Sequence, residues 1–244
     1  VKYLLNSFAI GGFVLLGATA ARAQIRFSGG PLAGLTVATA HFTRPSSASG
    51  TSSDLYRMGF AAGLTGAVES GHFALVPSAL YCQEGFHTHQ EDSGSFSSEN
   101  NVRLDYLKFP LNLTYCLRAT GQGPRVFAGG YVSFLQGGRQ SLAVQVGANS
   151  SGGAERPVVA GDTFVGGSGN YYAHSTDAGL QGGLGYLAGG VLVQASYSVG
   201  RRNIAADQYP AGGAAANGTL YNRSFQVAVA YLFGTVSENG KPAH

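Results

Sequence analysis

Residues 104–117 read LDYLKFPLNLTYCL, and from Leu107 onward every second residue is apolar: Leu107, Phe109, Leu111, Leu113, Tyr115 and Leu117. Between them stand Lys108, Pro110, Asn112, Thr114 and Cys116. A period of two puts these sets on opposite faces of a strand, whereas a helix would scatter both around its circumference. The apolar set covers about the 9–11 residues that a tilted strand needs to cross a bilayer. The spacing therefore predicts a membrane-crossing strand. Leu107, Phe109, Leu111 and Leu113 meet lipid, and Lys108, Asn112 and Thr114 face a barrel interior.

The rest of the chain is compatible with that strand. Only 11% of the 244 residues are charged, against roughly 25% in ordinary soluble domains. There are 38 glycines, 13 tyrosines, 14 phenylalanines and no tryptophan. Past the first residues no apolar run approaches the roughly 18 residues of a spanning helix. Membrane insertion, if any, must use strands. The formal net charge is +3, and no basic stripe points to nucleic acid.

Lys2 precedes an apolar run from Tyr3 to Ala20, and Ala21-Arg22-Ala23 has the small-x-small form of a cleavage site. This predicts a signal peptide over 1–23, cut near Ala23. The expected organisation is then a barrel over 24–234 followed by a polar C-terminal tail over 235–244.

Alternation recurs seven more times, giving predicted strands at 27–42, 55–68, 73–86, 104–117, 125–136, 176–187, 191–199 and 220–233. Short turns are expected at 69–72, 120–124 and 188–190, and long polar connections at 43–53, 87–101, 137–174 and 200–219. Eight strands joined alternately by long and short connections describe an all-β, antiparallel, up-and-down transmembrane β-barrel. The short turns and both termini would lie in the periplasm. Polar residues with inward parity are Arg57, Glu84, Lys108, Asn112, Thr114, Asp177, Gln181 and Gln194. Phe225, Val227 and Val229 have outward parity on the last strand. The segment 125–136 is apolar on both faces, and its orientation stays open. A soluble lipid-binding barrel would reverse the faces, but its outer face would carry Lys and Glu. Here the polar positions are mostly Gly, Ser, Thr, Asn and Gln. Tyr56, Tyr81, Tyr115, Tyr186 and Phe233 fall near strand ends, as interfacial girdles do.

Six segments taken in order carry a family resemblance: FALVPSALYCQEG (73–85), LDYLKFPLNLTY (104–115), GPRVFAGGYVSFL (123–135), DAGLQGGLGY (177–186), VLVQASYSVGRRNI (191–204) and RSFQVAVAYLF (223–233). Together they resemble the PorT-like, porin-family group of bacterial outer-membrane β-barrel domain proteins. Pro77 and Pro110 fall where that family also has prolines. The chain departs from the pattern by continuing past Phe233 and by the length of 137–174. The resemblance implies location in the outer membrane and a barrel fold, and it implies no single activity.

Few residues suggest chemistry. His87, His89, Glu91 and Asp92 offer metal-ligand types, but a polar loop that carries them by chance is the simpler account, so no metal and no cofactor is expected. No nucleophile elbow or HExxH motif supports an enzyme. The glycines from 182 to 190 lack the Lys-Ser/Thr ending of a phosphate loop. Cys82 and Cys116 have the same parity at opposite ends of neighbouring strands, which predicts two free thiols. The expected function is that of an integral outer-membrane barrel with a filled lumen and a structural, adhesive or surface-interaction role. Its partner is membrane lipid, with surface or secretion-system partners open. The alternatives are a small pore, an outer-membrane enzyme, or a soluble lipid-binding barrel.

Overall fold

The computed structural model describes residues 25–43, 51–92, 96–146, 149–163, 167–206 and 219–234. The expected signal peptide and C-terminal tail lie outside them. Eleven strands are present among the described residues: β1 (Arg26–Thr43), β2 (Thr51–Leu55), β3 (Arg57–Ser70), β4 (Phe73–Asp92), β5 (Phe96–Cys116), β6 (Gly123–Val146), β7 (Asn149–Ala160), β8 (Tyr171–Ala173), β9 (Thr176–Ala188), β10 (Val191–Gly200) and β11 (Thr219–Tyr231). Eight of them close a ring, each antiparallel to its neighbours, in the order β1-β3-β4-β5-β6-β9-β10-β11 and back to β1. Closure leaves no free edge, which is the condition for strands to cross a bilayer.

The alternation seen in the sequence becomes two surfaces. On β5, Leu111 and Leu113 are 50% and 59% exposed, while Asn112 and Thr114 are buried. β6, whose orientation the sequence left open, turns Phe127, Tyr131 and Leu135 inward and Val126, Val132 and Phe134 outward. Its inward row includes Gly129 and Ser133, so neither face is polar enough to stand out. The register around Pro77 and Pro110 skips pairs. The β3–β4 ladder passes from Thr65↔Ser78 to Val68↔Leu75. The β4–β5 ladder passes from Pro77↔Leu111 to Leu80↔Lys108. A residue without an N–H cannot donate to the ladder.

Two stretches expected to be loops are largely strand. β4 and β5 stay paired as far as Asp92↔Phe96, and β6 pairs with β7 as far as Val146↔Asn149. β2 joins β4 through Leu55↔His87, and β8 runs parallel to β7. Most of 87–101 and much of 137–174 therefore form a sheet that projects beyond the barrel. Polar residues line much of it, so the alternation that marks a lipid-facing strand is absent from its sequence.

The border between barrel and projection is a row of irregularities. Gly85 on β4 has φ 134°, and Gly138 on β6 has φ 156°. Between them the β5–β6 register shifts at Asp105/Tyr106. Bulges of this kind bend strands and re-aim side chains at barrel rims.

Candidate functional site

The lumen is where chemistry-bearing side chains converge. Lys108 on β5 is buried, and its Nζ donates to Glu84 Oε1 on β4 at 2.8 Å and to Ser198 Oγ on β10 at 3.4 Å. Ser224 Oγ on β11 also donates to Glu84 Oε1, at 3.1 Å. Ser198 Oγ donates onward to Gln181 Oε1 at 3.4 Å, and Gln181 Nε2 donates to Asn112 Oδ1 at 2.9 Å. The Lys108 ammonium also lies 4.0 Å from the centre of the Tyr131 ring, a distance at which ring and cation attract.

Asp177 is the second node. Its Oδ2 accepts from Tyr131 Oη at 3.2 Å and from Asn222 Nδ2 at 3.0 Å. Thr36 Oγ1 on β1 donates to the Gln83 carbonyl on β4 at 2.8 Å. The network ties β4, β5, β6, β9, β10 and β11 across the interior. Pairing is what allows such charges to be buried, since an isolated one would cost several kcal/mol or change its protonation state.

Both ends of this polar layer are closed. Near the short turns, Glu69 accepts from Arg125 Nη2 at 3.3 Å and from Arg26 Nη2 at 3.5 Å. Arg125 Nη2 also donates to the Gly121 carbonyl, and Arg26 Nη2 to that of Ala119 at 3.0 Å. Towards the projecting sheet the core is apolar: Phe86, Val102, Leu104, Tyr106, Leu135, Val158, Ile204 and Leu220 pack together. Ile204 comes from the connection after β10 and is fully buried. Its backbone N–H bonds the Leu220 carbonyl at 2.9 Å, and its carbonyl accepts from His174 N–H at 3.0 Å.

The inward residues read from the sequence divide as follows. Glu84, Lys108, Asn112, Thr114 and Asp177 are buried, and Gln181 and Gln194 are half-buried. Glu84, Lys108, Asn112, Asp177 and Gln181 join the lumen network. Arg57 does not: its Nε donates to Asn101 Oδ1 at 3.1 Å at the foot of the projecting sheet. Because the β3–β4 ladder is irregular beyond Ala61↔Cys82, inward parity no longer predicts where a side chain ends up there. Leu107, Phe109, Leu111, Leu113, Phe225, Val227 and Val229 are all exposed on the outer wall. Reading turn and strand starts for their turns alone missed Glu69 and Arg125. Ser198, Asn222 and Ser224 were also missed as members of a network, although parity on their own strands would have pointed to each; Tyr131 sits on β6, whose parity left its orientation open. Among the described residues no three His, Cys, Asp or Glu side chains converge as a metal site would require. His87 Nε2 instead lies 2.7 Å from Glu99 Oε1.

No curated protein matches the chain. The solved structures to which the chain is similar include three surface or outer-membrane proteins. Ail, the attachment invasion locus protein of Yersinia pestis, seen in complex with the heparin analogue sucrose octasulfate, shares 12% identity at a TM-score of 0.40, covering 85% of this chain and 99% of that one. Neisserial surface protein A shares 11% identity at 0.35, with coverage of 84% and 96%. OprG of Pseudomonas aeruginosa shares 9% identity at 0.38, with coverage of 86% and 95%. Residues 19–205, most of the chain, match the profile of the outer membrane protein beta-barrel domain. The closing strand β11 lies beyond that match and completes the ring by pairing with β1 and β10. An eight-stranded ring, an apolar outer wall and this match lead to one conclusion: the chain belongs to the outer membrane protein beta-barrel domain family.

Proposed function

We propose that the barrel is a closed, non-catalytic scaffold that holds its projecting sheet at the cell surface for structural or adhesive contact, and that solutes do not pass through it. The observation that supports this most is the lumen. An eight-stranded barrel has an interior just wide enough for side chains to fill, and here the Lys108–Glu84 pair bonds across it to Ser198 and Ser224. The Arg125–Glu69 pair lies near one end, and the apolar cluster around Ile204 near the other. A pore would need this hydrogen-bonded layer to come apart.

Within this reading, Leu107, Phe109, Leu111, Leu113, Phe225, Val227 and Val229 face lipid, and the paired polar residues fill the lumen. The signal peptide over 1–23 is removed near Ala23. The short turns and both ends of the mature chain lie in the periplasm, and the projecting sheet lies outside the cell. Pro77 and Pro110 support placement in the PorT-like branch. The partner that the projecting sheet meets is a surface molecule or a secretion component.

The test is conductance in a planar bilayer, with refolding followed by the heat-dependent gel shift of a folded barrel. The expected result is no steady channel from fully folded protein. A stable open channel that persists after the projecting sheet is shortened would favour the small-pore reading instead.

A further inference from the structure

Three arginines stand together on the outer wall just where the apolar belt ends, and the lumen plays no part in holding them. Arg103 on β5 and Arg139 on β6 are directly opposed across the sheet. Their neighbours Val102, Leu104 and Gln140 are buried, so the two arginines face outward. From the start of β3, Arg57 reaches past β4 to donate to Asn101 Oδ1 on β5. Arg57, Asn101, Arg103, Arg139, Ser141 and Glu155 line a depression of about 170 Å³. Exposed apolar residues of the belt follow on each strand: Met58 one residue from Arg57, Leu107 four from Arg103 and Phe134 five from Arg139, while Leu55 and Tyr56 are exposed on the far side of Arg57.

The charges here do not balance. Like charges directly opposite one another across strands are destabilising. Arg103 has Asp105 at 3.3 Å, and Arg139 has Glu155 at 3.4 Å. Among the described residues Arg57 has no carboxylate within 4.0 Å, so three guanidiniums face two carboxylates. An anion placed between them would offset the positive charge that has no carboxylate partner. Guanidinium forks match the oxygens of a phosphate group two at a time.

We propose that Arg57, Arg103 and Arg139 bind the phosphate-bearing headgroup of an outer-leaflet glycolipid. Continuity with the belt selects a lipid over a free anion. The site sits at the height where acyl chains lying on Met58, Leu107 and Phe134 would end in their headgroups. The inference rests on the belt being the lipid-facing surface, which co-flotation with lipid vesicles checks separately.

The experiment uses the full mature barrel in an uncharged detergent, with binding read by native mass spectrometry. The probes are a bisphosphorylated acylated disaccharide, its dephosphorylated form, and inorganic phosphate. The expected result is at least tenfold preference for the bisphosphorylated glycolipid, lost when Arg57, Arg103 and Arg139 are all changed to Gln. Arg201→Gln with Arg202→Gln, which removes exposed charge elsewhere, should leave the preference intact. Should the triple variant fail to fold, Arg139→Gln alone, at a site 68% exposed, should still weaken the preference several-fold. Equal retention of the two glycolipids, or a preference the arginine changes do not alter, would overturn the proposal. Loss of the preference in the Arg201/Arg202 control would do the same. Inorganic phosphate that competes as well as the glycolipid would replace the lipid by a free anion and so overturn it too. If binding fails while the protein still floats with vesicles, the headgroup site alone is refuted and the belt is not.

Discussion

Phe127 on β6 sits directly across the sheet from Gly183 on β9, and its ring occupies the volume a side chain at Gly183 would need. A β-carbon there would lie 2.5 Å from Phe127 Cζ and would also collide with the Ala195 carbonyl. Tyr131 and Gly179 repeat the arrangement four residues along. Gly179 and Gly183 thus leave no gap, because aromatic rings from the next strand cover them, and Arg125 lies against Gly185. Phe127→Ala should open a cavity and cost about 3 kcal/mol or more. Gly183→Ala should also destabilise, through overpacking, by about 1–3 kcal/mol. Urea unfolding from lipid vesicles measures both. A neutral Phe127→Ala would mean that the ring does not fill the lumen.

Lys108 and Glu84 test the polar layer. Removing one partner of a buried pair leaves an uncompensated charge and costs about 3–5 kcal/mol. Glu84→Gln and Lys108→Met should each show that order of loss. The double variant should lose clearly less than the two losses added together, because neither charge is left alone. Strict additivity in the same unfolding assay would show that the two groups do not interact.

Leu111 and Asn112 are adjacent in the chain and lie on opposite faces of the barrel wall. Leu111→Arg places a charge on the exposed apolar belt, where about 2–4 kcal/mol is expected at the membrane midplane. Asn112→Arg instead adds a second cation to the filled lumen beside the Lys108 layer, and it should destabilise through overpacking and an unpaired buried charge whatever the lipid. If Leu111→Arg proves neutral in folding titrations into lipid vesicles, the belt is not the lipid-facing surface.

Cys82 and Cys116 are buried and free. Cys82 is registered with Tyr106 on β5, ten residues along that strand from Cys116. At about 3.3 Å per residue that separation is on the order of 30 Å, far beyond the roughly 7 Å limit for a disulfide. Oxidising export conditions should therefore leave both thiols unlinked. Non-reducing peptide mapping of the folded barrel should recover two separate cysteine peptides. Recovering them joined would put the β4–β5 register in error.

The eight strands of the ring, their topology and the two faces of most of the wall were legible in the chain itself. Lipid on one side and a filled lumen on the other force a period of two, and alternately short and long connections force an up-and-down order. Where both faces are alike, the period carries no information. β6 was ambiguous because Phe127 and Tyr131 inside are as apolar as Val132 and Phe134 outside. The projecting sheet read as loops because its polar strands lack that contrast. Tertiary structure alone decided which inward groups meet. Pairing of β4 with β5 brings together Lys108 and Glu84, 24 positions apart, but Ser224 lies 140 positions from Glu84 and only ring closure carries it to the same level. The same is true of Arg57, which parity placed in the lumen. The irregular register above Cys82 and the bulged row at Gly85 and Gly138 are backbone geometry, and they direct its guanidinium to Asn101, at the edge of the belt.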